Sequence, residues 1–189
     1  MKQLHIVTVG TSLISNYAKA KGCGVGDALR RGQDVAAFLQ QDPRAASAEI
    51  NALDARTGFL ARTPESIGAT LVFSETAEGA LAARTIAGFL RKRRVAVSLV
   101  KMKSLDLPGN SRADPATARQ KAEAGLRELR QRLIEHVVRM NKQHPGLAVE
   151  FNVTGGFKAE AAVLYDASRF LRAPAYYLHE TFRTVVVLP

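Results

Sequence analysis

Short runs rich in β-branched residues alternate with helical patterns along most of the chain, and two such runs close it with only a few residues between them. This alternation predicts an α/β domain with a mostly parallel sheet and helices on both faces. Parallel neighbours need long crossovers, whereas a short link between the last two strands forces an antiparallel hairpin. Length agrees, since 189 residues with 47% hydrophobic side chains suit one ordinary core, and we expect a single domain over residues 1–189.

Gln3-Leu4-His5-Ile6-Val7-Thr8-Val9 is strand-like and stops at Gly10, as a buried strand entering a tight turn should. Residues 10–26 read as a loop. Two helical stretches follow, one near Asp27 to Gln41 and one capped by Asp42, with Pro43 in its first position, reaching about Arg56. After a loop over 57–67, Ala69-Thr70-Leu71-Val72-Phe73-Ser74 is a strand, and Thr76 opens a helix to about Lys92 with Leu81, Thr85 and Phe89 on one side. Val95-Ala96-Val97-Ser98-Leu99-Val100 is the third strand, and Pro108, Gly109 and Asn110 break any period in the loop from Leu105 to Ala113. Asp114 caps a helix beginning at Pro115, in which Leu126, Leu129, Leu133, Val137 and Met140 recur every three or four residues up to His144-Pro145-Gly146. Its length suggests that its far end packs on a partner. Residues 147–153 form a fourth strand, Gly155-Gly156 a turn and residues 157–172 a helix, before strands at 174–178 and 184–188. The expected architecture is a Rossmann-like three-layer sandwich with a C-terminal antiparallel hairpin. In such sheets ligands bind beyond the carboxyl ends of the strands.

Composition narrows the chemistry. Lysine and arginine exceed aspartate and glutamate by 27 to 17, and the net charge of +10 favours a polyanionic partner. The densest run, Arg91-Lys92-Arg93-Arg94, reads instead as the solvated end of a helix. Cys23 is the only cysteine and the four histidines are scattered, so neither an intrachain disulfide nor a cysteine-based zinc cage is expected. No run approaches a membrane span and no signal-peptide core follows Met1, which predicts a cytoplasmic protein without membrane contact.

Two loops carry candidate chemistry. After the first strand, Gly10-Thr11-Ser12-Leu13 offers backbone amides and hydroxyls that suit a phosphate, and equally suit ordinary turn bonding. The dinucleotide fingerprint Gly-x-Gly-x-x-Gly is missing there, which disfavours a nicotinamide or flavin, and no cofactor is expected. After the fourth strand, Asn152-Val153-Thr154-Gly155-Gly156-Phe157-Lys158 places a lysine at a helix start, where the macrodipole disfavours it unless an anion compensates. Ala159 follows that lysine, so this is not a Walker loop. Thr76 either caps its helix or faces a ligand. His5 and His136 fall inside elements and read as structural, while His144 and His179, near element ends, stay open.

In this order and spacing the chain resembles a CARF domain, the CRISPR-associated Rossmann fold that senses cyclic oligoadenylates in type III CRISPR defence. The carriers are Gly10-Thr11-Ser12-Leu13, Ser47-Ala48-Glu49-Ile50-Asn51, Ser74-Glu75-Thr76-Ala77-Glu78-Gly79 and Asn152-Val153-Thr154-Gly155-Gly156-Phe157-Lys158. Within that superfamily it is similar to the group of stand-alone ring nucleases, which cleave cyclic tetra-adenylate. The resemblance implies Ser12 and Lys158 as the functional pair, with Gly10, Thr11, Leu13, Thr76, Thr154, Gly155, Gly156 and Phe157 around the ligand. It implies a homodimer holding a two-fold ring, no metal, no DNA and linear products ending in a 2′,3′-cyclic phosphate. Lys158 would neutralise the non-bridging oxygens while Ser12 and neighbouring amides fix the phosphate. The alternatives are a sensor domain of a larger effector and a generic phosphate-binding metabolic protein.

Overall fold

The first strand is buried at six of its seven residues and lies inside the sheet, between the second and fourth strands. The computed structural model describes residues 1–61, 66–102, 115–179 and 181–189. In order it contains β1 (Gln3–Val9), α1 (Ser12–Lys21), α2 (Val25–Arg30), α3 (Gly32–Gln41), α4 (Pro43–Ala46), α5 (Ala48–Thr57), β2 (Ile67–Ser74) and α6 (Ala77–Lys92). Then follow β3 (Ala96–Met102), α7 (Pro115–Gln143), β4 (Ala148–Asn152), α8 (Lys158–Phe170), β5 (Ala175–His179) and β6 (Thr184–Leu188). The sheet runs β3-β2-β1-β4-β5-β6, parallel except for the last pair, in which Tyr177 opposes Val186. The α/β class, the parallel sheet and the closing hairpin are therefore as the sequence predicts.

Period-two alternation divides the core. Leu4 and Ile6 face a cluster with Leu133 and Val137 of α7 and Leu164 of α8, while Val7 and Val9 face Leu13, Ile50 and Ile86 from α1, α5 and α6. The two sides of the sheet are thus both covered.

Several elements differ from the sequence reading. The stretch read as a loop contains α1, whose buried Leu13, Ile14, Tyr17 and Ala18 follow helical spacing, and Gly22 closes it in the left-handed region at φ 60°. Its N-cap residue Thr11 is of a capping type but makes no side-chain cap bond. The stretch after it is broken at Arg31 into α2 and α3. Asp42 caps α4 as expected, its carboxylate accepting from the Ala45 amide at 3.1 Å, but extended Ser47 then interrupts the helix and caps α5 through the Ile50 amide. On α6 the buried stripe is Ala82, Ala83, Ile86, Ala87, Phe89 and Leu90, so Leu81 and Thr85 lie off its axis. The seam of α7 is buried at Leu129, Leu133 and Val137, while its Asp114 cap and the loop from Leu105 to Ala113 lie outside the described residues.

Beneath α5 a polar network crosses the sheet. Arg56 donates twice to Glu150, at 2.7 and 2.8 Å, and Tyr176 shares a hydrogen bond with His5 at 3.1 Å. Burial alone would raise the Glu150 carboxyl, yet the Arg56 hydrogen bonds bring it below its ordinary value. His5 is fully buried, and its Nε2 has no partner among the described residues. Burial pushes its imidazole down from 6.5 to about 4.

An imidazole that resists protonation in the fold lets the unfolded chain bind protons first, so stability is complete above about pH 6.5 and falls as the pH drops toward 4. His136, lowered by burial and by Arg139, acts in the same direction. We predict that His5 accounts for about 3 kcal/mol of the acid destabilisation by pH 4. Urea denaturation of wild type and His5→Gln at pH 7 and pH 4 reads this as a smaller pH-dependent loss in the variant. An equal loss in both proteins would show that His5 contributes nothing.

Candidate functional site

Strand order fixes where a ligand can sit. From β1 the chain winds outward through β2 to β3 and then returns to lay β4 on the other side of β1, which makes the carboxyl ends of β1 and β4 the switch point of the sheet. The two glycine loops singled out in the sequence both emerge there.

They are fitted to each other at backbone distance. Thr8 donates its hydroxyl to the Gly155 carbonyl at 2.6 Å. A Cβ on Gly10 would stand 2.8 Å from the Gly156 amide nitrogen, and one on Gly156, at φ +84°, would stand 2.8 Å from Thr8 Cβ. Asn152 is fully buried at the end of β4, where its side-chain oxygen accepts from the Thr154 amide at 3.1 Å. The Thr154 hydroxyl accepts from the Leu178 amide at 3.0 Å, tying the loop to β5.

Under both loops lies Glu49 of α5, 1% exposed. It accepts from the Gly10 amide at 2.8 Å, the Ser12 hydroxyl at 2.9 Å and the Ser47 hydroxyl at 2.7 Å. A Cβ on Gly155 would collide with the same carboxylate. The amide of Gly10 is therefore occupied, contrary to the open loop expected from sequence, because the buried carboxylate must be satisfied first. Sequence reasoning gave Glu49 no role, although its segment was among those that carry the resemblance.

The remaining candidates sort by what they touch. Leu13 is fully buried, so only its backbone can meet a ligand. Thr11 and Ser12 are half-buried at the start of α1, whose first-turn amides no side chain of Thr11 caps. Phe157 is 51% exposed before α8, with its amide donating to Glu160 at 3.3 Å. Lys158, the first residue of α8, is exposed and in no ion pair among the described residues. Thr76 lies at the end of the neighbouring strand and caps α6 through the Gly79 amide at 3.0 Å, so the capping alternative describes its hydroxyl. His5 and His136 are buried in the fold.

A cleft of about 1060 Å³ opens beside the switch point, sharing Thr154 with it. Arg44, Asn51, Tyr177, His179 and Arg183 line it; the sequence reading left His179 open and quoted Asn51 only within a segment that carries the resemblance. These residues come from α4, α5 and the β5–β6 hairpin, and no local motif joins them. Together the site offers two helix N-termini, an exposed lysine and a partly basic cleft, a set that suits an anion.

The fit of the loops gives a first test. Gly156→Ala should destabilise the fold by about 2 kcal/mol, from crowding against Thr8 and the left-handed backbone. Urea unfolding measures it, and a change within 0.5 kcal/mol (the scale of ordinary surface substitutions) would show that the loops do not pack this closely.

Comparison with known proteins agrees with the fold. No curated protein matches the chain. Csm6 from Enterococcus italicus bound to cyclic hexa-2′-fluoro-hexa-dAMP superposes with a TM-score of 0.55 at 9% identity, covering 97% of this chain and 35% of that one. Can2 from Sulfobacillus thermosulfidooxidans in complex with cyclic tetra-adenylate superposes with a TM-score of 0.48 at 10% identity, covering 98% and 34% respectively. This chain thus spans about a third of the length of either, and the likeness to Csm6 is one of fold. A family model described as CRISPR-associated protein (Cas_APE2256) matches residues 44–189, which takes in α5, β4, the Gly155-Gly156 loop and Lys158. By that match the chain belongs to the family of CRISPR-associated proteins (Cas_APE2256), and it carries the CARF fold that its motifs resemble.

Proposed function

We propose that the protein binds a cyclic oligoadenylate, cyclic tetra-adenylate in the first instance, and opens the ring, switching off type III CRISPR signalling. The observation that carries this reading is the meeting of the Gly10 and Gly155-Gly156 loops at the switch point, with the N-termini of α1 and α8 and Lys158 beside them. Family membership and the net charge of +10 support the same ligand class.

A cyclic RNA brings its own nucleophile. The ribose 2′-oxygen forms a bond to phosphorus, the bond from phosphorus to the 5′-oxygen breaks, and the proton lost from the 2′-hydroxyl is balanced by one gained at the 5′-oxygen. The product is a linear chain ending in a 2′,3′-cyclic phosphate. The protein's tasks are to hold the reacting atoms in line and to meet the charge that grows on the phosphoryl oxygens. First-turn amides of α1 hold the phosphate, Lys158 answers the growing charge, and the cleft lined by Tyr177 and Arg183 receives a base. Two copies facing each other across a two-fold axis would match the symmetry of the ring, each supplying one Ser12 and one Lys158. The second reading, a sensor domain without ring cleavage, is favoured by one observation: the fold matches about a third of the Csm6 chain.

Titration calorimetry with cyclic tetra-adenylate should give one ring per two chains. One ring per chain, or no binding at low salt, would remove the two-fold reading. Incubation in EDTA should still yield linear products with a cyclic phosphate end, and Lys158→Ala should slow single-turnover cleavage about 100-fold, the effect of losing about 3 kcal/mol of charge stabilisation. A wild type that binds the ring tightly and leaves it intact over hours would establish the sensor reading instead.

A further inference from the structure

Glu49 does more than fill the space beneath the loops. Its carboxylate receives three donors, the Gly10 amide on Oε1 and the hydroxyls of Ser12 and Ser47 on Oε2. A carboxylate has no hydrogen to give, so each serine must direct its own hydrogen inward. The Ser12 oxygen also accepts from the Ala48 amide at 3.4 Å, which leaves it one lone pair, and no hydrogen, for a ligand at the loops.

We propose that Glu49 is a positioning residue that sets the hydrogen-bond direction of Ser12, so that Ser12 accepts from a ribose 2′-hydroxyl instead of donating to a phosphate. This rests on the reading that the loops receive a cyclic oligoadenylate. Phosphate already has donors nearby, in the first-turn amides of α1 and in Lys158. A hydroxyl on the ligand, by contrast, needs an acceptor, and Ser12 held by Glu49 is one. The arrangement thereby selects a ribose ring over one lacking that hydroxyl.

Glu49→Gln reverses the direction at nearly constant shape. The amide oxygen still accepts from Gly10, while the amide nitrogen donates toward Ser12 and Ser47 and frees the Ser12 hydrogen to point outward. The probes are cyclic tetra-adenylate and its 2′-fluoro counterpart, which keeps the sugar's size but cannot donate, compared by competition binding completed before turnover. Wild type should prefer the hydroxyl ring roughly 10-fold, the worth of about one hydrogen bond per serine. In Glu49→Gln and in Ser12→Ala that preference should fall within about twofold of unity, with circular dichroism showing an intact fold. Should Glu49→Gln fail to fold, Ser12→Ala alone decides, since Glu49 then keeps two of its three donors. Equal wild-type affinity for the two rings, or an undiminished preference in a folded variant, overturns the proposal and leaves ring binding standing. A wild type that binds neither ring overturns ring binding and the proposal together.

Discussion

A buried carboxylate is the constraint on which the site depends. Removing Glu49 from water costs several kcal/mol unless hydrogen bonds replace hydration, and three donors from two segments do so. Gly10 leaves β1, Ser12 begins α1 and Ser47 caps α5, so satisfying one side chain fixes the relative placement of all three elements. Gly155 must then lack a side chain, because any Cβ would strike the same carboxylate.

The other end of α5 is tied down independently. Arg56 grips Glu150 of β4 with two hydrogen bonds, while its guanidinium lies 5.8 Å from the centre of the Tyr176 ring. Breaking such a partly buried pair leaves a desolvated charge, which makes the contact far more directive than an exposed one. Held at Glu49 by the β1 loop and at Arg56 by β4, α5 spans the two strands whose carboxyl ends form the switch point. The floor beneath the loops is thereby held at two points, one at each end of α5.

Legibility in the sequence followed locality. The strands, the caps at Asp42 and Thr76 and the seam of α7 were readable because each depends on neighbours within a few residues. Helix α1 is hard to read because the polar character of Ser12, Ser15 and Asn16 outweighs the spacing of Leu13, Ile14, Tyr17 and Ala18. Ser47 was hidden for the opposite reason, lying inside a stretch whose helical propensity continues across it while its extended backbone turns the chain.

By itself the sequence determined the alternation of elements, hence the parallel sheet, and it placed two glycine loops and a lysine at strand ends, because periodicity and turn chemistry are short-range properties. Only the tertiary structure decided which groups meet. Glu49 lies 39 residues beyond Gly10 and more than 100 before Gly155, and Arg44, Tyr177 and Arg183 reach one cleft from distant segments. Such contacts arise because β4 returns beside β1 after two outward crossovers, and no local pattern of residues encodes the hydrogen-bond partner of a side chain that far away.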